Sequence, residues 1–185
     1  MAQHVCPWWV GYILASPLRK LVQNPIKILK SYVKPGMTVL DVGPGMGFFS
    51  FDAARLAGDG GRVICVDLQE KMIESLRRRA ARKNLAERIN GRVCNESSLM
   101  LDDLTGQVDL ALAINVAHEV PDLPRFMAEI HRALKPDGRL FMIEPRGHIS
   151  VDDFANTVDV TRQCDFSLVE RPEVRRSRAA VFVKG

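Results

Sequence analysis

Hydrophobic positions along the chain follow two patterns: short continuous apolar runs and longer stretches with helical spacing. The runs at 62–67 and 109–114 are apolar at almost every position. Such runs are typical of parallel strands that helices cover on both faces. The stretches 69–84 and 122–134 instead place apolar residues three or four positions apart, which predicts amphipathic helices.

The same patterns, read with their turn signals, predict the order of the elements. The predicted strands are 37–41, 62–67, 89–94, 109–114, 139–143, 166–171 and 178–184. The predicted helices are about 48–56, 69–84 and 122–134, with two short ones starting near Ser16 and Asn24 and a last one capped by Ser150. Residues 135–138, Lys-Pro-Asp-Gly, predict a turn. This order predicts an α/β fold with a doubly wound, mostly parallel seven-stranded sheet and helices on both faces.

The length of 185 residues fits a single domain with a proper core. We expect residues 1–34 to form an N-terminal helical cap and residues 35–185 to form the α/β core. Within the cap, Trp8 and Trp9 lie in an apolar segment that is too short to span a membrane. Packing of these tryptophans on the sheet edge is the favoured interpretation. The alternatives are a lid over an apolar substrate and contact with a membrane interface.

Charge and cysteine content narrow the possible partners. The formal net charge is +4, and much of the basic charge lies in two clusters at 77–83 and 175–178. Neither cluster has interleaved aromatic residues or a known binding motif, so no nucleic-acid partner is expected. The four cysteines are widely scattered without metal-ligand spacing. We therefore predict no metal site and expect a cytoplasmic protein.

The most informative stretch is 39–47, Val-Leu-Asp-Val-Gly-Pro-Gly-Met-Gly. A strand ends on Asp41, and Gly43, Gly45 and Gly47 then turn the chain towards a helix. Such glycines let a ligand approach the backbone, and the helix start offers unpaired N–H groups. The spacing G-x-G-x-G differs from the dinucleotide fingerprint G-x-G-x-x-G. It resembles the first motif of class I S-adenosylmethionine-dependent methyltransferases, in which these glycines bind the cofactor.

The ends of the first three predicted strands supply groups that match S-adenosylmethionine. Asp67 ends the second strand and can accept hydrogen bonds from both ribose hydroxyls. Leu68 offers an apolar face to the adenine. The glycine turn suits the methionyl carboxylate, and Asp41 suits the ammonium group. Glu96 and Ser97, after the third strand, are candidate contacts on the adenine side.

Three further stretches extend the resemblance. V-I-C-V-D-L-Q, N-V-A-H-E-V-P-D and L-K-P-D-G-R-L follow the glycine motif in the order expected of this class. The chain is most similar to the small-molecule branch that includes the ubiquinone- and menaquinone-biosynthesis methyltransferases. The resemblance covers about 37–143 and implies an antiparallel last strand. It also implies cofactor contacts at Asp41, Gly43, Gly45, Asp67, Leu68 and Asn115. The sequence departs from the family after the third strand, where Cys-Asn-Glu-Ser-Ser replaces the usual Asp followed by a small residue.

Three side chains are candidates for acid–base chemistry or acceptor contact. His118 follows the fourth strand, and an imidazole is easily poised near neutral pH. Glu144 and His148 follow the fifth strand. For His118 and Glu144 the alternative is structural, because each side chain can simply hold nearby loops by hydrogen bonds.

The predicted function is transfer of a methyl group to a small-molecule acceptor, which leaves S-adenosylhomocysteine. A NAD(P)-dependent Rossmann oxidoreductase is one alternative. The glycine spacing counts against it, as does the position of Tyr12 and Tyr32, the two tyrosines, before the first strand. A non-catalytic S-adenosylmethionine-binding module is the other alternative, and the sequence leaves it open.

Overall fold

The computed structural model describes residues 23–185, in which strands and helices alternate. The strands are β1 Thr38–Val42, β2 Arg62–Asp67, β3 Ile89–Val93, β4 Val108–Ile114, β5 Leu134–Pro145, β6 Phe166–Glu170 and β7 Ser177–Lys184. The α-helices are α1 Pro25–Leu29, α2 Ser50–Ala57, α3 Glu70–Arg82, α4 Leu123–Ala133 and α5 Val151–Gln163. Short 3-10 turns occur at Ala86–Arg88, Asp102–Leu104 and Ala117–Glu119.

The strands form one seven-stranded sheet in the order β3-β2-β1-β4-β5-β7-β6. Strands β1 to β5 pair in parallel, whereas β7 runs antiparallel to both β5 and β6. The sheet order reverses between β1 and β4, which is the position where open α/β sheets form ligand crevices. The predicted fold class, including the antiparallel last strand, is confirmed.

Two hydrophobic cores lie on opposite faces of this sheet. Alternate residues of β1 point to different cores, since Leu40 belongs to one and Val39 to the other. Helices α4 and α5 cover the Leu40 face, while α1, α2 and α3 cover the Val39 face. Burial on both faces explains why the central strands are apolar at nearly every position.

Side-chain caps fix where three of the helices begin. The Asn24 side chain accepts a hydrogen bond from the backbone of Lys27 at the start of α1. Ser150 and Asp153 form the predicted reciprocal capping box of α5. The short helix predicted near Ser16 and the tryptophan segment lie outside the described residues. Within residues 23–185, none of the helices has the length and apolar character needed to cross a bilayer.

Strand β5 is longer than predicted, because it starts at Leu134 rather than at Arg139. Val108 of β4 pairs with Leu134 and Leu110 pairs with Arg139, so residues 135–138 form a bulge between the two pairs. Asp137 has a φ of 60° there. The Lys-Pro-Asp-Gly segment, predicted as a turn, instead lies within β5 as this bulge, and pairing with β4 already begins before it.

Candidate active site

A cavity of about 610 Å³ opens at the carboxyl ends of β1, β2 and β4. Its volume is within the range of small-ligand sites. Ten of the twelve residues predicted for the site line it: Asp41, Gly43, Gly45, Asp67, Leu68, Glu96, Ser97, Asn115, His118 and His148. The structure thus brings both halves of the predicted site together, although Gly47 and Glu144 lie outside the lining.

The turn between β1 and α2 depends on glycine for two different reasons. Gly43 has a φ of 69°, and an added Cβ would lie 2.8 Å from Cγ2 of Val116. Gly45 has a φ of 54° but faces open space. At Gly43 the glycine allows close packing against the loop after β4, whereas at Gly45 it leaves backbone exposed to the cavity.

Gly47, which was predicted as a cofactor contact, lies outside the cavity lining. Its φ is 87°, and an added Cβ would lie 2.6 Å from the Phe51 ring. The missing side chain therefore lets Phe51 pack under the turn. Residues 45–49 form turns, so α2 begins at Ser50 rather than near Phe48.

Asp41 is an almost fully buried carboxyl group on the cavity wall. It is 2% exposed, and its Oδ2 accepts a hydrogen bond of 2.6 Å from the Ser50 hydroxyl. Burial raises the pKa of Asp41 to about 7, and the neighbouring Asp67 adds to this shift against the effect of Ser50. A ligand cation beside Asp41 would stabilise the ionised form that burial disfavours.

Asp67 is held by backbone donors from two loops. Its Oδ1 accepts from Gln69 N at 2.9 Å, and its Oδ2 accepts from Gly45 N at 3.3 Å. Burial raises the pKa of Asp67 and outweighs these two hydrogen bonds. Each carboxylate oxygen retains acceptor capacity for a ligand hydroxyl. Leu68 lies beside it and is 40% exposed.

Asn115 has an unusual backbone and an unsatisfied side chain. Its φ is 57°, and its N–H donates to Ile143 O at 2.7 Å. Its Oδ1 is buried at the cavity and has no hydrogen-bond partner within residues 23–185. A buried unpaired acceptor costs free energy unless a ligand supplies a donor. With Asp41 nearby on the same cavity, this oxygen fits the ammonium group of the predicted cofactor.

The loop after β3 is shaped by Asn95 and Glu129. Asn95 Oδ1 accepts from both the backbone and the hydroxyl of Ser97. Glu129 of α4 is 5% exposed, and it accepts from Ser98 Oγ and Leu99 N. Glu129 was not among the residues predicted for the site, although its spacing from the apolar residues of α4 was the available signal. Ser97 and Glu96 are on the cavity wall, as predicted.

His118, Glu144 and His148 gather at the other end of the cavity. Nδ1 of His118 lies 2.5 Å from Oε2 of Glu144, which is 1% exposed. This hydrogen bond raises the pKa of His118 against the effect of burial, and charge from Glu144 and Glu119 adds to the rise. The His118 and His148 ring centroids are 6.5 Å apart. Glu144 therefore contacts His118 from behind the cavity wall.

The fold and the site together define a class of protein. A seven-stranded sheet with an antiparallel β7, a glycine turn after β1 and carboxylates at the ends of β1 and β2 are the features of class I S-adenosylmethionine-dependent methyltransferases. The chain belongs to the methyltransferase domain family, whose model matches residues 33–173. The resemblance stated from the sequence is thus confirmed.

Individual relatives agree with this class. The chain is 36% identical over 119 residues to the demethylmenaquinone methyltransferase of Symbiobacterium thermophilum, covering 63% of this chain and 46% of that protein. It is 33% identical over 148 residues to the ribosomal protein L11 methyltransferase of Dictyoglomus turgidum, covering 80% and 44%. The chain therefore spans less than half the length of these two relatives.

A solved structure matches nearly the whole chain. It is a SAM-dependent methyltransferase from Aquifex aeolicus, with a TM-score of 0.86 and 24% identity, covering 96% of this chain and 98% of that one. At this identity the likeness supports the fold.

Proposed function

We propose that this protein transfers the methyl group of S-adenosylmethionine to a small-molecule acceptor. The observation that carries the proposal is the unpartnered Oδ1 of Asn115, which is buried in the same cavity as Asp41. The amide oxygen of Asn115 and the carboxylate of Asp41 suit a ligand ammonium group. A nicotinamide dinucleotide lacks such a group.

The geometry of the cavity supports the remaining cofactor contacts of the proposal. Asp67 would accept hydrogen bonds from the ribose hydroxyls, and the exposed backbone at Gly45 would face the methionyl carboxylate. Leu68, with Glu96 and Ser97 across the cavity, would border the adenine. When bound, the cofactor supplies an electrophilic methyl group on a sulfonium. The protein's own contribution is alignment of the two reactants and exclusion of water.

A small acceptor is supported by the cavity and by one relative. The 610 Å³ must hold the cofactor as well as the acceptor, which favours a compact molecule. The Symbiobacterium relative is named for demethylmenaquinone, whereas the Dictyoglomus relative is named for a ribosomal protein. A protein acceptor is therefore the alternative that the experiments must test. We propose a cytoplasmic location, which the free thiols of Cys65, Cys94 and Cys164 support.

Calorimetry tests the cofactor part of the proposal. S-adenosylmethionine and S-adenosylhomocysteine should bind, and NADH should not. Asp67→Ala should weaken S-adenosylhomocysteine binding at least about tenfold, since one lost hydrogen-bond acceptor pair costs about 1.4 kcal/mol or more. Asp159→Ala is the matched control, because this carboxylate lies on α5 and is 64% exposed. Binding of NADH alone would refute the proposal.

Product formation tests the activity. S-adenosylhomocysteine release is measured with panels of phenols, quinols, thiols and amines, and separately with ribosomal protein L11. Turnover on a panel member supports a small acceptor. Turnover on the protein alone would refute that part, and cofactor binding without any turnover would favour the non-catalytic module.

A further inference from the structure

The two side-chain hydrogen bonds of Glu144 both go to one turn of the chain, Ala117–Glu119. Its Oε1 accepts from Ala117 N at 2.9 Å, and its Oε2 faces His118 Nδ1 at 2.5 Å. One carboxylate from β5 thus fixes both the backbone of this turn and the imidazole that follows. Because Glu144 is 1% exposed and lies outside the cavity lining, it cannot contact an acceptor there.

The hydrogen bond with Glu144 decides which nitrogen of His118 carries the hydrogen. When the Glu144 side chain is a carboxylate, it can only accept hydrogen bonds, so Nδ1 is then the donor. In the neutral imidazole, Nε2 then keeps its lone pair. Nε2 lies 3.9 Å from Oε1 of Glu119, which is beyond hydrogen-bonding distance. His118 itself lines the cavity and is 22% exposed.

We propose that Glu144 positions His118 as the general base of the reaction, so that the acceptor is a molecule whose nucleophilic atom carries an acidic hydrogen, such as a phenol, an enol or a thiol. This inference rests on the proposed methyl transfer. His118 would be the catalytic residue, because it faces the acceptor. Glu144 would be a positioning residue that acts through His118.

The step balances in atoms and charge. The hydrogen on the acceptor's nucleophilic atom passes as a proton to Nε2 of His118, and its bonding electrons stay on the acceptor. These electrons form the new bond to the methyl carbon, while the electrons of the sulfur–methyl bond remain on sulfur. One positive charge leaves the sulfonium and one appears on the imidazolium. Glu144 stabilises that imidazolium through Nδ1–H.

Other charged groups also face this end of the cavity. Glu119 adjoins His118 along the chain, and His148 follows β5 with its ring 6.5 Å from that of His118. The other titratable or charged lining residues are Asp41, Asp67, Cys94, Glu96, Asp122, Arg125, Glu129 and Arg176. The pKa of His118 is raised, chiefly by the hydrogen bond with Glu144. Base catalysis should therefore increase as the pH rises through a value above the ordinary 6.5 of histidine.

Nuclear magnetic resonance of the free protein provides the first test. Each of the four histidines gives a pair of ring-nitrogen signals when it is labelled with ¹⁵N, and His118→Gln identifies the pair from His118. We expect neutral His118 to carry its hydrogen on Nδ1 and to titrate with a raised pKa. In Glu144→Gln this pKa should fall. Glu119→Gln is the matched control, because it removes a nearby negative charge but leaves the Nδ1 partner, so it should preserve the tautomer.

Kinetics provides the second test. With a phenol, enol or thiol that the wild type methylates, His118→Gln should lower kcat about 100-fold, which is the usual scale of general base catalysis. Glu144→Gln should lower kcat with little change in KM, and it should move the rising limb of the pH profile to lower pH. Thermal unfolding of each variant shows that it remains folded.

The outcomes separate this inference from the proposed function. The proposed pairing of Glu144 with His118 would be overturned if neutral His118 carried its hydrogen on Nε2, or if Glu144→Gln left the pKa of His118 unchanged. Either result would count even if S-adenosylhomocysteine binds normally. Turnover confined to tertiary amines, or full turnover by His118→Gln, would also overturn it. Failure of S-adenosylhomocysteine to bind the wild type would instead remove the proposed function, and this inference with it.

Discussion

The two ends of the cavity are built in different ways. At the cofactor end, the glycine turn is formed by neighbouring residues after β1, and backbone N–H groups hold Asp67 at the end of β2. At the acceptor end, side chains from β5 and from the turn after β4 hold one another, as in the pair of Glu144 and His118. The glycine turn is thus local in sequence, whereas the pair of Glu144 and His118 exists only once β4 and β5 have paired.

Because of this difference, we expect the two ends of the cavity to tolerate different substitutions. A turn defined by backbone conformation presents nearly the same surface with many side chains, provided that its glycines remain. A pair of buried side chains loses its geometry when either partner changes. The cofactor end should therefore be sensitive to glycine substitutions, and the acceptor end to substitutions of charged partners.

The two ends of the cavity meet where Gly43 packs against Val116. Gly43→Ala should therefore affect both ends at once. We expect it to lower the free energy of unfolding by about 2–4 kcal/mol, because it combines left-handed backbone strain with overlap of Val116. It should also weaken binding at both ends. Calorimetric unfolding and S-adenosylhomocysteine titration measure the two effects.

Gly36→Ala is the control for this prediction. Gly36 has a φ of 84°, but an added Cβ meets nothing within 4 Å. It should show the backbone strain alone, about 1–2 kcal/mol. Equal losses in the two variants would mean that the contact with Val116 does not matter.

Asp41→Asn, at the cofactor end, should raise the free energy of unfolding of the ligand-free protein. The pKa of Asp41 is about 7 in the fold against the ordinary aspartate value of 3.8, so between these values only the folded state keeps the proton. Stability from this group is therefore lost as pH rises through that window. At pH 8 the neutral amide should raise the free energy of unfolding by roughly 1–3 kcal/mol, measured by urea denaturation.

Asp52→Asn is the comparison for that result. Asp52 is also buried, but it pairs with Arg55, so its replacement should destabilise the fold by about 0.5–1.5 kcal/mol. If Asp41→Asn also destabilised the protein at pH 8, an ionised Asp41 would be contributing to the fold.

The same titration should appear in cofactor binding. If the ammonium group binds beside ionised Asp41, affinity for S-adenosylhomocysteine should rise up to about tenfold between pH 6 and 8. This rise follows because the ionised fraction grows through a pKa of about 7. Calorimetry in buffers of different ionisation enthalpy should detect the released proton. Asp41→Asn should flatten the dependence, and a persistent slope would assign it to another group.

Ser97→Ala should have the smallest effect. The Ser97 hydroxyl donates to Asn95 Oδ1, which the Ser97 backbone N–H already contacts. We expect a change below about 0.5 kcal/mol in stability and below about twofold in S-adenosylhomocysteine affinity. A tenfold loss of affinity would identify the hydroxyl as a direct cofactor contact.

The candidate residues of the glycine turn could be predicted from the sequence because their signals are local. Asp41, Gly43 and Gly45 are neighbours along the chain, and continuous apolar runs define the strands that place them. The exception is Gly47. Spacing alone does not reveal on which side of a turn the missing side chain would point, and here it points to Phe51.

The acceptor end could be predicted only as a set of candidates. His118 and Glu144 are 26 residues apart, and the register of β4 on β5 brings them together. Glu129 was missed for a similar reason, since its partners Ser98 and Leu99 come from the loop after β3. The early start of β5 was hidden by the bulge at 135–138, whose residues give a turn signal.

The location of Glu144 behind His118 has a consequence for how enzymes of this shape diversify. Glu144 contacts the imidazole of His118, whereas other side chains line the cavity. The basicity of the imidazole and the shape of the cavity therefore depend on different residues. Selection could change one without remodelling the other, and a mutational survey confined to residues of the cavity wall would overlook Glu144, which holds the imidazole.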